Sequence, residues 1–157
     1  MKVILLLIGR TTDKHLQTLI DDYAGRLAHY VPFAIETIPE LRQTKAMSQE
    51  QQRAAEADMV RARLLPGDHL VLLDEHGRER RSVDFAQWLG KRLAAGGRRL
   101  VFAVGGPYGF DASLHALAAE EVSLSLMTFS HQLIRLLMVE QLYRACTILR
   151  GEPYHHE

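Results

Sequence analysis

Apolar residues along the chain alternate between two spacings. Short unbroken apolar runs, such as KVILLLI at 2–8, are separated by longer stretches in which apolar residues recur every three or four positions. Unbroken runs of this length are typical of strands buried on both faces, whereas the wider spacing is typical of amphipathic helices. The pattern predicts five strands, at 2–8, 33–38, 69–74, 98–104 and 122–126. It also predicts five helices, at 13–30, 48–64, 82–95, 111–120 and 131–149.

Helix start signals support this division of the chain. Asp13 and Asp111 precede two of the helical stretches, and Ser48 with Gln51 forms a capping box at a third. Such side chains accept hydrogen bonds from the free N–H groups of the first turn. The alternation of strands and helices predicts an α/β fold, with a mainly parallel sheet and helices on both faces. Because the chain has 157 residues and no linker or repeat, residues 1–157 are expected to form a single domain.

The composition is that of an ordinary globular protein. Nineteen basic residues balance nineteen acidic ones, so net charge gives no support to wholesale nucleic-acid or membrane binding. The single cysteine, Cys146, cannot form an internal disulfide and is interpreted as a packing residue. The apolar run at 3–8 is short and lacks a good cleavage site, which favours a buried strand over a signal peptide. No stretch is long enough to span a bilayer, and we expect a cytosolic (cytoplasmic) protein.

Three segments follow predicted strands at the edge where open α/β sheets bind ligands: 72–77, 105–110 and 126–131. They are largely apolar, and none carries a P-loop lysine or the order G-x-G-x-x-G. The Gly105–Gly106 pair is also what any tight turn would use. Beside the other two segments, it favours a pocket in which main-chain groups hold a purine ring and a thioether chain rather than a triphosphate.

Charged residues accompany the first of these segments. Asp74 ends a buried strand, where it can cap the turn or accept a hydrogen bond from a ribose hydroxyl or contact a ligand cation. Arg78, Arg80 and Arg81 follow in the stretch HGRERR. Such a cluster is usually a solvated turn, but at this edge of the sheet it can also contact phosphates.

The last predicted helix is apolar nearly all round. Between Leu133 and Leu149 the few polar residues do not gather on one face. A helix of this kind has to be buried on all sides. A terminal helix in a domain this small would ordinarily keep one face exposed to solvent. We therefore expect a homodimer packed through this helix.

The chain ends in Tyr154, His155, His156 and Glu157. This tail can be a frayed terminus, since chain ends are commonly poorly ordered. Two histidines without a third ligand at regular spacing do not make a metal site, and no metal is implied. Near a dimer interface, the same tail can instead reach the partner's pocket, where its histidines supply groups that can gain or lose a proton.

Several motifs together resemble one family. They are KVILLLIG at the start, LLD, VFAVGGPYG, LSLMTFSHQLIRLLMVEQLYRA and the ending PYHHE. Over essentially the whole chain they resemble the RlmH family of SPOUT-class methyltransferases. The resemblance implies an α/β domain with a C-terminal trefoil knot that forms the cofactor site and the dimer interface. It also implies methylation of N3 of a pseudouridine in helix 69 of 23S ribosomal RNA with S-adenosylmethionine, with assembled ribosomes as the expected substrate.

The resemblance carries the family's cofactor contacts onto this chain, and Asp74 and Gly106 extend them on the same turns. The full set is Leu73, Asp74, Gly105, Gly106, Leu124, Ser125, Leu126, Met127, Thr128 and Phe129. Two positions depart from the family pattern. Ser130 stands where proline is common, and both residue types favour a helix start. His156 stands where arginine or lysine is frequent, so a phosphate contact there is expected to weaken and to depend on pH.

The chemistry implied by the resemblance needs a base. Methyl transfer from a sulfonium requires alignment, and the N3 proton of the pseudouridine must leave before or during transfer. His155 is the first candidate for the base, followed by His156 and His131. His131 can equally be a packing residue of the first turn of the last helix. Tyr154 is expected to stack on the target base.

Two arginines of the last helix are candidates for contacting RNA. Arg135 and Arg144 can bind phosphates or orient the substrate. Arg144 can instead pair with Glu140, four residues earlier on the helix.

Three other functions stay open at this point: a SPOUT methyltransferase for another RNA nucleotide, a catalytically silent ribosome-binding factor, and a flavodoxin-like nucleotide-binding module. The intact tail and the Gly105–Gly106 turn argue against a silent factor, because a purely structural role needs neither. The nearly all-apolar last helix argues against the flavodoxin-like module, which would leave it unexplained.

Overall fold

One sheet of five parallel strands forms the centre of the computed structural model, which describes residues 1–157. The strands are β1 (Lys2–Ile8), β2 (Phe33–Ile38), β3 (His69–Glu79), β4 (Arg99–Val104) and β5 (Glu120–Ser123). Their order across the sheet is β2-β1-β4-β3-β5, and every neighbouring pair is parallel. Parallel neighbours require crossover connections, which the helices supply.

Five helices cover the sheet, and a short 3₁₀ turn (Thr44–Ala46) precedes the second of them. The helices are α1 (Lys14–Leu27), α2 (Gln49–Arg63), α3 (Ser82–Ala95), α4 (Ala112–Leu117) and α5 (Leu133–Leu149). α5 packs against both α1 and α3, and α2 packs against α4. None of the helices combines the length and the apolar character needed to cross a membrane.

The buried strand β1 divides the core into two halves. Alternate residues beginning at Val3 belong to a cluster that includes Met138 and Leu142 of α5. The other residues, beginning at Ile4, belong to a cluster that includes Val60 of α2. Helices therefore cover both faces of the sheet, which confirms the predicted α/β architecture.

The predicted helix starts are present. Asp13 accepts hydrogen bonds from the main-chain N–H groups of His15 and Leu16, at 2.8 and 3.1 Å. The Ser48 hydroxyl accepts from the Gln51 N–H at 3.1 Å, and the Gln51 side chain accepts from the Ser48 N–H at 2.9 Å. Asp111 caps α4 in the same way. These bonds satisfy donors that the first helical turn leaves free.

The third strand is longer than the predicted 69–74. Its register against β5 shifts between Leu73 and Arg78, after which pairing resumes. Gly77 lies inside this irregular stretch, and a Cβ there would lie 2.7 Å from the main-chain nitrogen of Val122. The close approach of two backbones explains the glycine, and the resumed pairing extends the strand.

The predicted strand at 122–126 is wrong in its second half. β5 ends at Ser123, and the chain leaves the sheet at Leu124. Leu126 is 79% exposed, so this apolar residue is not part of the core. Helices α1 and α5 are a few residues shorter than predicted because turns occupy residues 28–30 and 131–132. α4 is shorter because β5 already begins at Glu120.

Candidate functional site

The three predicted segments meet at one cavity, which lies beside the irregular stretch of β3 and beyond the carboxyl ends of β4 and β5. Its volume is about 590 Å³, within the usual range for a small-molecule site. Its walls include nearly all the residues expected to bind a cofactor: Leu73, Asp74, Gly105, Gly106, Leu124, Ser125, Met127, Thr128 and Phe129. His131 also lines the cavity. Leu126 does not, and its side chain is exposed instead.

The glycine-rich turn after β4 is folded tightly on itself. Gly106 and Gly109 form an antiparallel bridge, with the Gly109 N–H donating to the Gly106 carbonyl at 3.1 Å. Gly109 has a φ of +76°, which favours glycine. A Cβ on Gly105 would lie 3.3 Å from the ring of Phe110. Glycine is therefore required here by the turn itself, which leaves main-chain groups facing the cavity.

A hydrogen bond joins the irregular stretch of β3 to the segment after β5, and a second group of contacts orders that stretch itself. The Asp74 carboxylate accepts from the main-chain N–H of His76 at 2.8 Å and lies 3.0 Å from its ring nitrogen. Glu75, which the sequence analysis did not single out, accepts from the Thr128 hydroxyl at 2.6 Å. The second bond joins two walls of the cavity across 53 residues of chain.

The segment leading into α5 is ordered by serines. The Ser125 hydroxyl accepts from the Met127 N–H at 2.9 Å. The Ser130 hydroxyl accepts from the Leu133 N–H at 3.0 Å, and the Ser130 carbonyl accepts from the Ile134 N–H. Ser130 thus starts the helix in the manner of a cap, so this departure from the family pattern keeps the local structure.

Arg135 occupies an unexpected place for a candidate RNA-binding residue. The residue is fully buried, and its guanidinium donates to the main-chain carbonyls of Ile8, Gly9 and His131 and to the Thr11 hydroxyl, at 2.8 to 3.1 Å. Burial lowers the pKa of the guanidinium, and the nearby carboxylate of Glu40 opposes that shift. In this arrangement the side chain holds α5 against the end of β1 and presents nothing to solvent.

The C-terminal tail packs against α5. Arg144 donates to Glu140 from Nε at 3.1 Å, and the Tyr154 hydroxyl donates to Glu140 at 2.9 Å. The Arg144 guanidinium lies over the Tyr154 ring, 4.8 Å from its centroid, and 3.1 Å from Nδ1 of His155. Burial, followed by bonding to Tyr23 and Glu140, raises the pKa of Tyr154. We call these four residues, Glu140, Arg144, Tyr154 and His155, the tail cluster.

Two further contacts hold the tail. The Tyr30 hydroxyl donates to Glu152 at 2.5 Å, and Arg81 pairs with Glu157 at 2.8 Å. The tail is therefore not frayed in this structure. His156 is exposed. No residue of the tail cluster lines the 590 Å³ cavity, so a single chain leaves the two groups of expected site residues apart.

Comparison with known sequences identifies the family. Residues 1–155 match the sequence profile of a family described as "Predicted SPOUT methyltransferase". The chain is 55% identical to the ribosomal RNA large subunit methyltransferase H of Phocaeicola vulgatus, and 49% identical to that of Flavobacterium johnsoniae. Both alignments cover all of both chains. The chain belongs to the RlmH family of SPOUT methyltransferases.

A solved structure supports the fold alone. The probable methylase family protein from Haemophilus influenzae Rd KW20 superposes with a TM-score of 0.50 at 12% identity. The match covers 95% of this chain and 66% of that one. The trefoil knot stays a prediction of RlmH family membership.

A smaller cavity adjoins the first in this RlmH-family chain. Its volume is about 230 Å³, and the two cavities share a wall formed by Val122, Ser123, Leu124 and Phe129. Arg80 lines it, pairs with Glu120 at 3.1 Å and lies over the Trp88 ring. Of the HGRERR arginines, Arg80 is thus not part of a solvated turn, since its side chain is only 8% exposed.

Proposed function

We propose that the chain uses S-adenosylmethionine to methylate N3 of a pseudouridine in helix 69 of 23S ribosomal RNA, with assembled ribosomes as substrate. Its relatives carry the name ribosomal RNA large subunit methyltransferase, which supports an enzyme acting on that RNA. One structural observation carries the cofactor part of the proposal. Nine of the ten residues expected to bind the cofactor line a single cavity, and only Leu126 lies outside it.

The cavity suits such a cofactor chemically. Leu73, Leu124 and Phe129 offer apolar surface to a purine ring or thioether chain, and the Gly105–Gly106 turn exposes main-chain groups. Asp74 stands at the rim, where a carboxylate can accept from a ribose hydroxyl. When bound, S-adenosylmethionine supplies a methyl group from its sulfonium. The residues around it then have to exclude water and hold the acceptor nitrogen in line.

Removal of the N3 proton falls to a histidine in this proposal. Nε2 of His155 is buried without a hydrogen-bond partner, while Nδ1 faces the Arg144 guanidinium. Because Arg144 can only donate, a neutral His155 ring carries its proton on Nε2 while this contact lasts. His155 therefore acts as a base only after the tail leaves Arg144, and otherwise donates to a carbonyl of the target base. His131, which lines the cavity, is the alternative.

We further propose a homodimer in which the tail of one protomer completes the cavity of the other. The tail cluster and the cavity are separate within one chain. Leu126, Met127 and Leu133 are 79%, 76% and 37% exposed, an apolar surface beside the cavity that a second copy would cover. A two-fold dimer provides this contact twice.

The experiment is a methyl-transfer assay with labelled S-adenosylmethionine and ribosomes that lack the modification, with the labelled nucleotide located by mass spectrometry. Wild type is compared with a variant truncated after Gly151. Label on the helix 69 pseudouridine that is lost with the tail would support the proposal. Label on another nucleotide would indicate a different RNA substrate, and cofactor binding without any labelling would favour a catalytically silent ribosome-binding factor.

A complementation experiment tests the dimer. The truncated variant is mixed with Gly105→Val, whose side chain would press on Phe110 and on the Gly109 backbone and so distort the wall of the cavity. If the tail acts across the dimer, a mixed dimer pairs one intact cavity with one intact tail. We expect the mixture to recover a substantial part of wild-type activity, whereas each variant alone stays inactive. No recovery after subunit exchange, verified by mass spectrometry, would contradict the shared site.

A further inference from the structure

A carboxyl group is buried directly beside the glycine-rich turn of the cavity. Glu56 lies on α2 and is only 4% exposed, next to the core residue Ala57. Glutamate is rarely buried to this degree unless it is paired. Its Oε1 atom is buried and has no hydrogen-bond partner. A buried carboxyl oxygen without a partner is costly, which suggests that something other than stability retains it.

The carboxyl occupies the space that a side chain at position 106 would need. A Cβ on Gly106 would lie 2.3 Å from Oε2 and 2.8 Å from Oε1 of Glu56. Gly106 also lines the 590 Å³ cavity. The backbone of one glycine therefore lies between the carboxyl and the cavity, with no side chain added to the separation.

Few charges act on Glu56 in this place. Burial raises the pKa of its carboxyl, the Gln52 amide opposes that shift, and Glu40 raises the pKa further. Arg135 is not among the groups that act on Glu56, because its charge interacts with Glu40 and its hydrogen bonds go to main-chain carbonyls and to Thr11. At the opposite rim, Asp74 is engaged by His76. No arginine or lysine pairs with Glu56 itself.

We propose that Glu56 is a positioning residue that holds the Gly105–Gly106 turn and selects a positively charged ligand in the cavity over its neutral counterpart. The proposal rests on the proposed use of S-adenosylmethionine, whose sulfonium is cationic, while the thioether left after methyl transfer is neutral. A carboxylate in a region of low dielectric attracts a cation over several ångströms. Glu56 would thus favour binding of the methyl donor and release of the product.

The test is calorimetric binding of S-adenosylmethionine and S-adenosylhomocysteine to wild type and to Glu56→Gln, which keeps the shape and removes the charge. We expect the substitution to weaken donor binding by roughly three- to tenfold more than product binding, the size of a partly screened charge interaction. Glu50→Gln, at an exposed position in the first turn of the same helix, is the control and is expected to change neither affinity. Equal effects on both ligands, or none, would overturn selection by charge.

Failure of the proposed function is distinguishable from failure of this inference. If wild type binds neither compound, S-adenosylmethionine is the wrong cofactor, and the proposed selection by Glu56 is wrong as well. If wild type binds both and Glu56→Gln keeps their ratio, only the inference about Glu56 is wrong.

A second measurement tests the contact without any ligand. Gly106→Ala is expected to lower the unfolding temperature, because its methyl group would overlap the Glu56 carboxyl. Glu56→Ala removes that carboxyl, so the double variant is expected to be more stable than the sum of the two single effects predicts. Strict additivity would show that Glu56 does not support the turn and would contradict the positioning role.

Discussion

The Arg135 guanidinium donates to the main-chain carbonyl of Ile8 at 2.8 Å and so joins the last helix to the end of the first strand. The two residues are 127 positions apart in the chain. The same guanidinium also donates to Gly9 and to Thr11, on the loop that follows the strand. A single buried side chain thereby satisfies several carbonyls at the edge of the sheet that carries the cavity.

We expect Arg135→Met to destabilise the protein by about 3–5 kcal/mol, because it leaves buried carbonyls without donors. Methionine fills a similar volume, so the loss measures the hydrogen bonds more than the packing. Urea unfolding followed by circular dichroism gives the free energy of unfolding. Arg98→Met, at an exposed position, is the control and should stay within about 0.5 kcal/mol of wild type. A small effect at Arg135 would restore it as a candidate for RNA contact.

Substitution by alanine is expected to change stability in opposite directions at Gly77 and at Gly25. A Cβ at Gly77 would lie 2.7 Å from the main-chain nitrogen of Val122, so the strands β3 and β5 would have to separate. Gly25 lies inside α1 and has nothing within 4 Å of its Cβ position. We expect Gly77→Ala to lower stability by more than about 2 kcal/mol and Gly25→Ala to raise it by about 0.5–1 kcal/mol. Thermal unfolding of both variants checks this, and a neutral Gly77→Ala would contradict the close approach.

The periodicity of apolar residues was enough to predict the layered fold. Fully buried strands and amphipathic helices differ in spacing, and the caps at Asp13, Ser48 and Asp111 depend on neighbours within three residues. The end of the fifth strand was not predictable in the same way. Leu124 and Leu126 continue the alternation of apolar residues and serines that begins at Val122, but the first lines a cavity and the second is exposed. Hydrophobicity alone does not distinguish a core from a ligand site or an interface.

The candidate site was predictable where its residues follow strands, because parallel strands bring their carboxyl ends together. Glu56 was missed, since a glutamate on a polar helix carries no sign of burial beside Gly106. Arg135 was wrongly predicted to contact RNA, because three of its four partners lie more than 120 residues away in the chain. Contacts of this kind depend on the whole topology, which local patterns do not contain.

The partly buried pair of Asp68 and Arg99 predicts a loss of stability in acid. Burial raises the pKa of Asp68, but hydrogen bonds from Arg99 and from the Leu65 N–H outweigh it, so the pKa lies below the ordinary value of 3.8. A carboxyl with a depressed pKa stabilises the fold above its unfolded pKa, and that contribution is lost as the pH falls through the folded pKa.

We therefore expect wild type to exceed Asp68→Asn in stability by about 1–3 kcal/mol at neutral pH, because the variant leaves Arg99 partly unpaired. The difference should shrink steadily as the pH falls below about 4, where Asp68 takes up its proton. Urea titrations between neutrality and acid pH measure both values. A difference that is constant with pH would show that packing, and not the charge of Asp68, accounts for it.

The tail cluster predicts separate effects on catalysis and on cofactor binding. Glu140 accepts hydrogen bonds from Arg144 and Tyr154, and none of the three lines the cavity. Glu140→Gln removes the charge that aligns both partners, so we expect methyl transfer to ribosomes to fall by roughly tenfold to a hundredfold. The affinity for S-adenosylmethionine, measured by calorimetry, should stay within a factor of about two of wild type.

Thr128→Val is expected to affect cofactor binding rather than the rate of methyl transfer. Thr128 lines the cavity and donates to Glu75 across it. We expect this variant to weaken cofactor binding by several-fold, the effect of one lost hydrogen bond. Its methyl-transfer rate at saturating cofactor should stay close to that of wild type. If Glu140→Gln instead weakened cofactor binding as strongly as Thr128→Val, the tail cluster would itself help to hold the cofactor, and the predicted separation of the two effects would be wrong.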